Sequence, residues 1–279
     1  MRDDICVLLT SAIEVKNKHL VKRHDTATRL EDYKRALRSW LTKQTHVQHI
    51  VFVDNSGYPL DTLKHIAETE NVHGKHVEFL SFHYDTTGDS DISLGEIAIL
   101  DYALNHSQTL KNTSYFIKCT GRVFVENIDH IVQDLPETFH AVARFSENLS
   151  YIDSVIMIFE THMYREDMHP LIAQTMKQPN GKTDFERAYA KVLHELLAKD
   201  YQWFPFSHEP IFSGMSGTKN QSYRKKYGRF QSLWYSVISH MFYKRYRTSW
   251  GKSSGREHLL VRWNIQPERG TCSSNKDSL

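Results

Sequence analysis

Short apolar runs alternate with longer amphipathic stretches through the first half of the chain. Ile5-Cys-Val-Leu-Leu-Thr10, His49-Ile-Val-Phe-Val53 and Val77-Glu-Phe-Leu-Ser-Phe82 have the length and side-chain content of strands. Between the first two, Ala27 to Leu41 sets Leu30, Tyr33, Leu37, Trp40 and Leu41 on one helical face. Leu60 to Thr69 and Leu94 to about Asn105 predict two more helices. Ser114 to Cys119 is another apolar run. Thr120-Gly121 breaks it, and Val123 to Asn127 leads into the helical spacing of Ile128-Asp-His-Ile-Val132. Strand–helix alternation of this kind predicts βαβ units, hence an α/β fold with a mostly parallel, Rossmann-like sheet flanked by helices.

The second half is less regular. Thr138 to Phe145 and Ser154 to Phe159 predict further strands, as antiparallel additions to the same sheet. Thr183 to Leu196 reads as a helix with Thr183 or Asp184 as its cap. Gln202 to Tyr223 is a long polar and aromatic loop containing Ser213-Gly-Met-Ser-Gly217, and Phe230 to Tyr246 an aromatic helix. The organisation expected is one domain over 1–265, irregular and more helical beyond 135, with a frayed polar tail at 266–279.

Composition narrows the function classes. The 279 residues are enough for a full core, and a net charge of +2 implies no whole-molecule attraction to nucleic acid or membrane. Cys6, Cys119 and Cys272 are scattered and odd in number, which argues for a reducing compartment and against thiolate zinc. The N-terminus has no apolar signal segment and no stretch has the length of a membrane span, so a cytoplasmic protein is expected. Charge is unevenly spread, however. Pro210 to Arg256 contains no Asp or Glu, and over 219–252 its cations interleave with aromatics. That pattern fits single-stranded nucleic acid, an anionic membrane surface contacted peripherally, closure over a diphosphate, or a core helix with a basic face.

The candidate chemistry lies at the end of the Ser114–Cys119 run, where Lys118 and Arg122 bracket the Thr120-Gly121 break. The crevice at strand ends is where open α/β sheets bind ligands, and a Lys with an Arg there suits a phosphate or diphosphate. Two solvated cations at a turn are the plain alternative.

These segments, in order, resemble the nucleotide-sugar-dependent glycosyltransferases of the GT-A fold, and within them a group from capsular and cell-surface polysaccharide gene sets. The resemblance is carried by Leu8-Leu-Thr10, Arg29-Leu-Glu-Asp-Tyr33 with Trp40, Val51-Phe-Val-Asp-Asn-Ser-Gly57 and Gly95-Glu96. Phe116-Ile-Lys-Cys-Thr-Gly-Arg122 is its most specific part, and Gly214-Met-Ser-Gly-Thr218 with Tyr223 closes it. It implies hexosyl or pentosyl transfer from a nucleotide-sugar donor to a glycan acceptor, free or lipid-linked, with the donor bound by 1–135 and the acceptor by 136–265. It also implies donor contacts from Thr10, Arg29, Asp54, Asn55, Ser216 and Thr218 beside Lys118 and Arg122. Glu186, at the start of its helix, is the first choice for catalytic base, Glu96 a second site carboxylate, and Glu160 and His208 alternatives.

The cofactor expectation follows from a departure. Many GT-A enzymes hold Mg²⁺ or Mn²⁺ through an Asp-x-Asp after an apolar strand; here that strand ends in Lys118-Cys-Thr-Gly-Arg122. Two cations could neutralise a leaving diphosphate directly, so metal-independent transfer is expected. Asp89-Ser-Asp91 is a literal Asp-x-Asp, but it precedes a helix, where its carboxylates suit capping; Mn²⁺ or Mg²⁺ there is the runner-up. A nucleic-acid-binding protein using 219–252 is the competing function.

Overall fold

The computed structural model describes residues 4–16, 21–85, 93–146, 148–176, 184–217 and 220–223, together with Val237 and Met241. The first strand, β1 (Ile5–Ser11), is buried along its whole length. It is followed by α1 (Thr26–Thr42), β2 (His49–Asp54), α2 (Asp61–Thr69), β3 (His76–Ser81), α3 (Ser93–His106), α4 (Gln108–Asn112) and β4 (Tyr115–Thr120). β1 pairs in parallel with β2 on one side and β4 on the other, and β2 pairs in parallel with β3. The predicted alternation is what the structure shows, with strand ends within a residue or so of the apolar runs.

After β4 come β5 (Val123–Val125), α5 (Ile128–Gln133), β6 (Ala141–Val142), β7 (Phe145–Ser146), β8 (Tyr151–Ile152) and β9 (Ile156–Glu160). A helical run follows, made of α6 (Thr161–Met163), a π-helical turn (Tyr164–Met168) and α7 (His169–Met176). The chain then forms α8 (Phe185–Leu197), β10 (Trp203–Phe204) and β11 (Phe212–Gly214). The main sheet runs β10-β6-β9-β4-β1-β2-β3. β9 is antiparallel to β4 and β6, so the expected antiparallel addition is there.

Several expectations are corrected. The strand predicted over 138–145 shrinks to β6 and β7, because the chain turns at 143–144 to leave the sheet and form a separate β7–β8 hairpin. Gln202 to Tyr223 is not all loop: β10 extends the main sheet and β11 pairs antiparallel with β5. Both are two or three residues long, too short to show a period. The run from Thr161 to Met176 is helical, and its sequence was not read as such. Asp184 is the cap of α8, accepting from the Arg187 amide at 2.8 Å. Thr183, most of the predicted Phe230–Tyr246 helix and the 266–279 tail lie outside the described residues.

The core has a layer on each face of the sheet. Val7, Leu9, Ile50, Phe52 and Ile117 pack under α1, α2 and α5, while Leu8, Val51, Val53 and Phe116 pack under α3, α7 and α8. A strand buried on both faces takes apolar residues at almost every position, which is why β1, β2 and, apart from the buried Lys118, β4 read as continuous runs. Trp40 ties α1 to β5 through Nε1, which donates to Val123 O at 3.0 Å. Among the described residues no helix is long and apolar enough to cross a membrane.

Candidate active site

From β1 the chain moves outward through β2 and β3, then returns to pair β4 on the other flank of β1. The loops after β1 and β4 therefore part in opposite directions and leave a crevice at the C-terminal strand ends. A cleft occupies that place, walled by Thr10 and Ala12 after β1, Asn55 after β2, Gly95 and Glu96 on α3, and Thr120 and Arg122 after β4. Arg29, Gly217, Lys16, His83, Tyr33 and Tyr84 are among its other lining residues.

Arg122 is its most exposed chemistry in the electrostatic sense. Its Nε and Nη1 are buried and have no hydrogen-bond partner among the described residues. The guanidinium stands 5.8 Å from the Tyr33 ring centroid, on whose π face it gains a modest attraction. Three glycines allow close approaches around it, and Gly217 is the one that lies on the guanidinium. A Cβ on Gly121 would meet Thr10 O at 2.7 Å, one on Gly214 (φ +144°) would meet Val123 Cα at 3.1 Å, and one on Gly217 would meet Arg122 Cζ at 2.8 Å. A buried cation short of acceptors is costly by itself, so the arrangement favours an anion arriving from the cleft.

Lys118 behaves differently. Its side chain is 2% exposed and its Nζ lies 2.7 Å from Glu96 Oε1, while it donates to Ser154 O at 2.6 Å. β4 alternates its side chains, so Phe116 and Lys118 face α3 and α8 while Ile117 and Cys119 face α1. The residue does not wall the cleft, and its charge is matched inside the protein. Ser154 in turn donates through Oγ to Glu186 Oε1 at 2.7 Å, so Glu96, Lys118, Ser154 and Glu186 form one polar line from the cleft wall to the first turn of α8.

The other candidate residues separate into wall and scaffold. Thr10 lines the cleft, and its carbonyl accepts from Gly121 N at 2.8 Å, which pins the β4 turn to β1. Asn55 also lines it and donates from Nδ2 to Gly95 O at 3.1 Å, joining β2 to α3. Asp54 is fully buried, with Oδ2 accepting from Ser11 Oγ (2.8 Å) and Ile13 N (2.9 Å) and Oδ1 from Ser56 N (2.8 Å). It shapes the loops rather than the cleft surface. Arg29 lines the cleft although it is 4% exposed, and it donates to Ala12 O, Arg23 O and the Tyr33 hydroxyl. Burial pushes its pKa down. Ser216 is buried beside Tyr223, whose phenol burial pushes up. Thr218, Asp89 and Asp91 lie outside the described residues. His208 sits 3.0 Å from Asp134 and Glu160 caps α6; neither walls the cleft.

The sequence reading missed Tyr33 as a cleft residue, although its place two turns above Trp40 was visible. It also missed the Lys16–His83 contact (3.0 Å) across the rim and the role of Arg23. Arg29 and Asp32, charged residues at core spacing within the α1 stripe, were the available signal for a polar network there.

No family model and no curated protein matches the chain by sequence. Solved structures match it in fold. A galactosyltransferase, LgtC, in complex with donor and acceptor sugar analogues is 11% identical over 71% of this chain and 72% of that one, with a TM-score of 0.48. Core-mannan synthase A from Aspergillus fumigatus, a manganese–GDP form, is 11% identical over 86% of each chain with a TM-score of 0.47. A cytidylyltransferase from Leptospira borgpetersenii is 12% identical over 91% of this chain and 99% of that one, with a TM-score of 0.41.

The expectation of metal-independent transfer is overturned. It conflicts with the manganese held by neighbours such as the Aspergillus enzyme. Its physical premise also fails for Lys118, which pairs with Glu96 inside the protein and does not wall the cleft. Among the described residues, no group of three or more His, Cys, Asp or Glu is arranged to hold a metal ion.

Proposed function

We propose that this chain is a glycosyltransferase that takes a sugar from a nucleotide-sugar donor and transfers it to a glycan acceptor in surface polysaccharide biosynthesis. The observation that carries the reading is Arg122: a guanidinium with two buried nitrogens that have no partner among the described residues, opening on the cleft at the β1/β4 switch point. A nucleoside diphosphate supplies the oxygens such a fork takes, and a leaving diphosphate gains charge as the glycosidic bond to it breaks. In this reading Arg122 stabilises that charge. Thr10, Asn55 and the Tyr33 rim orient the nucleotide, and Glu96, held by Lys118, borders the sugar. Glu186, with Ser154 donating to it, takes the acceptor proton. Arg29, Asp54 and Ser216 support the wall. The acceptor side falls to the second half of the chain, and a lipid-linked acceptor would place the enzyme at the inner face of a membrane. Of 219–252, the stretch behind the nucleic-acid alternative, all but 220–223, Val237 and Met241 lie outside the described residues, and the described part lends that alternative no support.

The test is a hydrolysis screen over UDP-, GDP-, dTDP- and CMP-sugars, run with and without Mn²⁺. Slow release of nucleotide from one donor class is expected, together with thermal protection by the matching nucleotide. Formation of a nucleotide sugar from a nucleoside triphosphate and a sugar phosphate, with no donor hydrolysis, would overturn the proposal.

A further inference from the structure

We infer that Arg23 is a positioning residue that clasps the Gly214–Gly217 segment against Arg122, and so sets how tightly the cleft grips an anionic ligand it does not itself touch; this rests on the donor site proposed above. Arg23 does not wall the cleft, and nothing in its sequence context marks it. Its side chain nevertheless makes a two-pronged pair with Asp32 on α1: Nε donates to Oδ2, and Nη2 to Oδ1 at 2.9 Å. Asp32 is 2% exposed, and a buried carboxylate of that kind holds its partner in one orientation. Arg35, the other cation nearby, is 3.8 Å away and 68% exposed, so it contributes little.

With two nitrogens fixed on Asp32, the remaining donors of Arg23 point across to the far segment. Nη1 donates to Asn220 Oδ1 at 2.8 Å, and the backbone amide donates to Gly217 O at 3.1 Å. The carbonyl of Arg23 accepts from Arg29 Nη1 at 3.0 Å, so the clasp is braced by the residue that also holds Ala12. Through its side chain to Asp32 and Asn220 and its backbone to Gly217, Arg23 thus joins α1, the stretch after β1 and the turn that carries Gly217. The Gly217 peptide is what lies on the Arg122 guanidinium, with no room for a side chain between them. Pairing of β11 with β5 holds the segment only as far as Gly214. Beyond it, the two bonds from Arg23 reach back to the body of the fold. Loosening them lets water to Arg122, which raises the local dielectric and weakens its grip on an anion.

The experiment uses the full chain, with inorganic pyrophosphate as the probe and hydrogen exchange as a readout independent of any ligand. Arg23→Gln is expected to speed exchange of the 211–217 amides about tenfold while those of β1 and β2 keep wild-type rates, a local rather than global opening. Pyrophosphate affinity, by calorimetry, should fall about tenfold. Asn220→Ala, which leaves every charge in place, should shift the same amides in the same direction by about threefold. Arg23→Lys keeps the charge but not the fork and should remain weak. With a known donor, KM should rise with kcat kept. Unchanged exchange at 211–217 in both Arg23→Gln and Asn220→Ala overturns the clasp, as does full recovery of affinity in Arg23→Lys, which would reduce Arg23 to a distant charge. If wild type binds no pyrophosphate, the donor-site reading falls, and the exchange result alone decides the clasp.

Discussion

Lys118 and Arg122 are four residues apart and carry the same charge, yet the fold gives them opposite tasks. Lys118 is an internal counter-ion: removing it leaves Glu96 facing a low-dielectric layer unmatched. Lys118→Met should therefore cost about 3 kcal/mol of stability, and Lys118→Met/Glu96→Gln should regain much of that, because removing both charges spares the burial of either. Denaturant unfolding of the two variants measures this. A double variant no more stable than the single one would show that the pair is not the relevant interaction. Arg122 has no such internal partner among the described residues. Arg122→Ala should leave the thermal midpoint near wild type and lower kcat/KM for the donor at least about 100-fold, the scale of losing one charge-stabilising donor. Folded Arg122→Ala with undiminished turnover would remove the phosphate role. Cys119, between the two, is inert: burial pushes its thiol up to about 12.

Among the elements, the short outer strands are the acid-sensitive part. His140, just before β6, accepts from Gln202 N at its Nδ1 (2.9 Å), and His140 N and Ala141 N both donate to Gln202 O (3.1 Å). An acceptor nitrogen cannot also carry a proton, and burial lowers the His140 pKa, against the smaller opposing influence of Glu160 and Asp167. The sign follows directly. The unfolded chain takes up the proton first as pH falls, so His140 contributes stability above the ordinary imidazole value and loses it on acidification through that value toward the lowered one. His169 is lowered by burial too and adds in the same direction. The thermal midpoint should fall between about pH 7.5 and about pH 5.5, and His140→Gln, whose amide oxygen can accept the same bond, should show a shallower fall. An identical slope in both proteins would place the acid sensitivity elsewhere.

Across the whole molecule, one sheet carries both core layers, so loss of either exposes the other. Leu37 belongs to the layer under α1 and Leu193 to the layer under α8, and both are buried. Leu37→Ala and Leu193→Ala should each cost about 2–5 kcal/mol. Each should move a single denaturant transition seen alike by far-UV and near-UV circular dichroism. Two transitions, with each substitution moving only one, would divide the chain into separately folding halves and contradict the single domain expected over 1–265.

What the sequence determined by itself was the local order: which stretches pair as strands, which coil as helices, and that the first half alternates between them. Those features follow from period and run length, and a strand covered on both faces, such as β1 or β2, has nowhere to place a polar residue before its end. The Lys118–Arg122 segment was legible as chemistry for the same reason, as a break in an apolar run. Which of the two cations serves a ligand was decided only in three dimensions. Strand alternation turns Lys118 toward Glu96 on a helix 22 positions earlier, and Gly214 and Gly217 bring distant backbone onto Arg122. Asp54 likewise looked like a ligand residue at a strand end, but bonds to Ser11 and Ile13 turn it away from the cleft, whereas Arg29 lines the cleft while also holding Ala12. The Arg23 clasp joins residues nearly 200 positions apart, a pairing that no local pattern encodes.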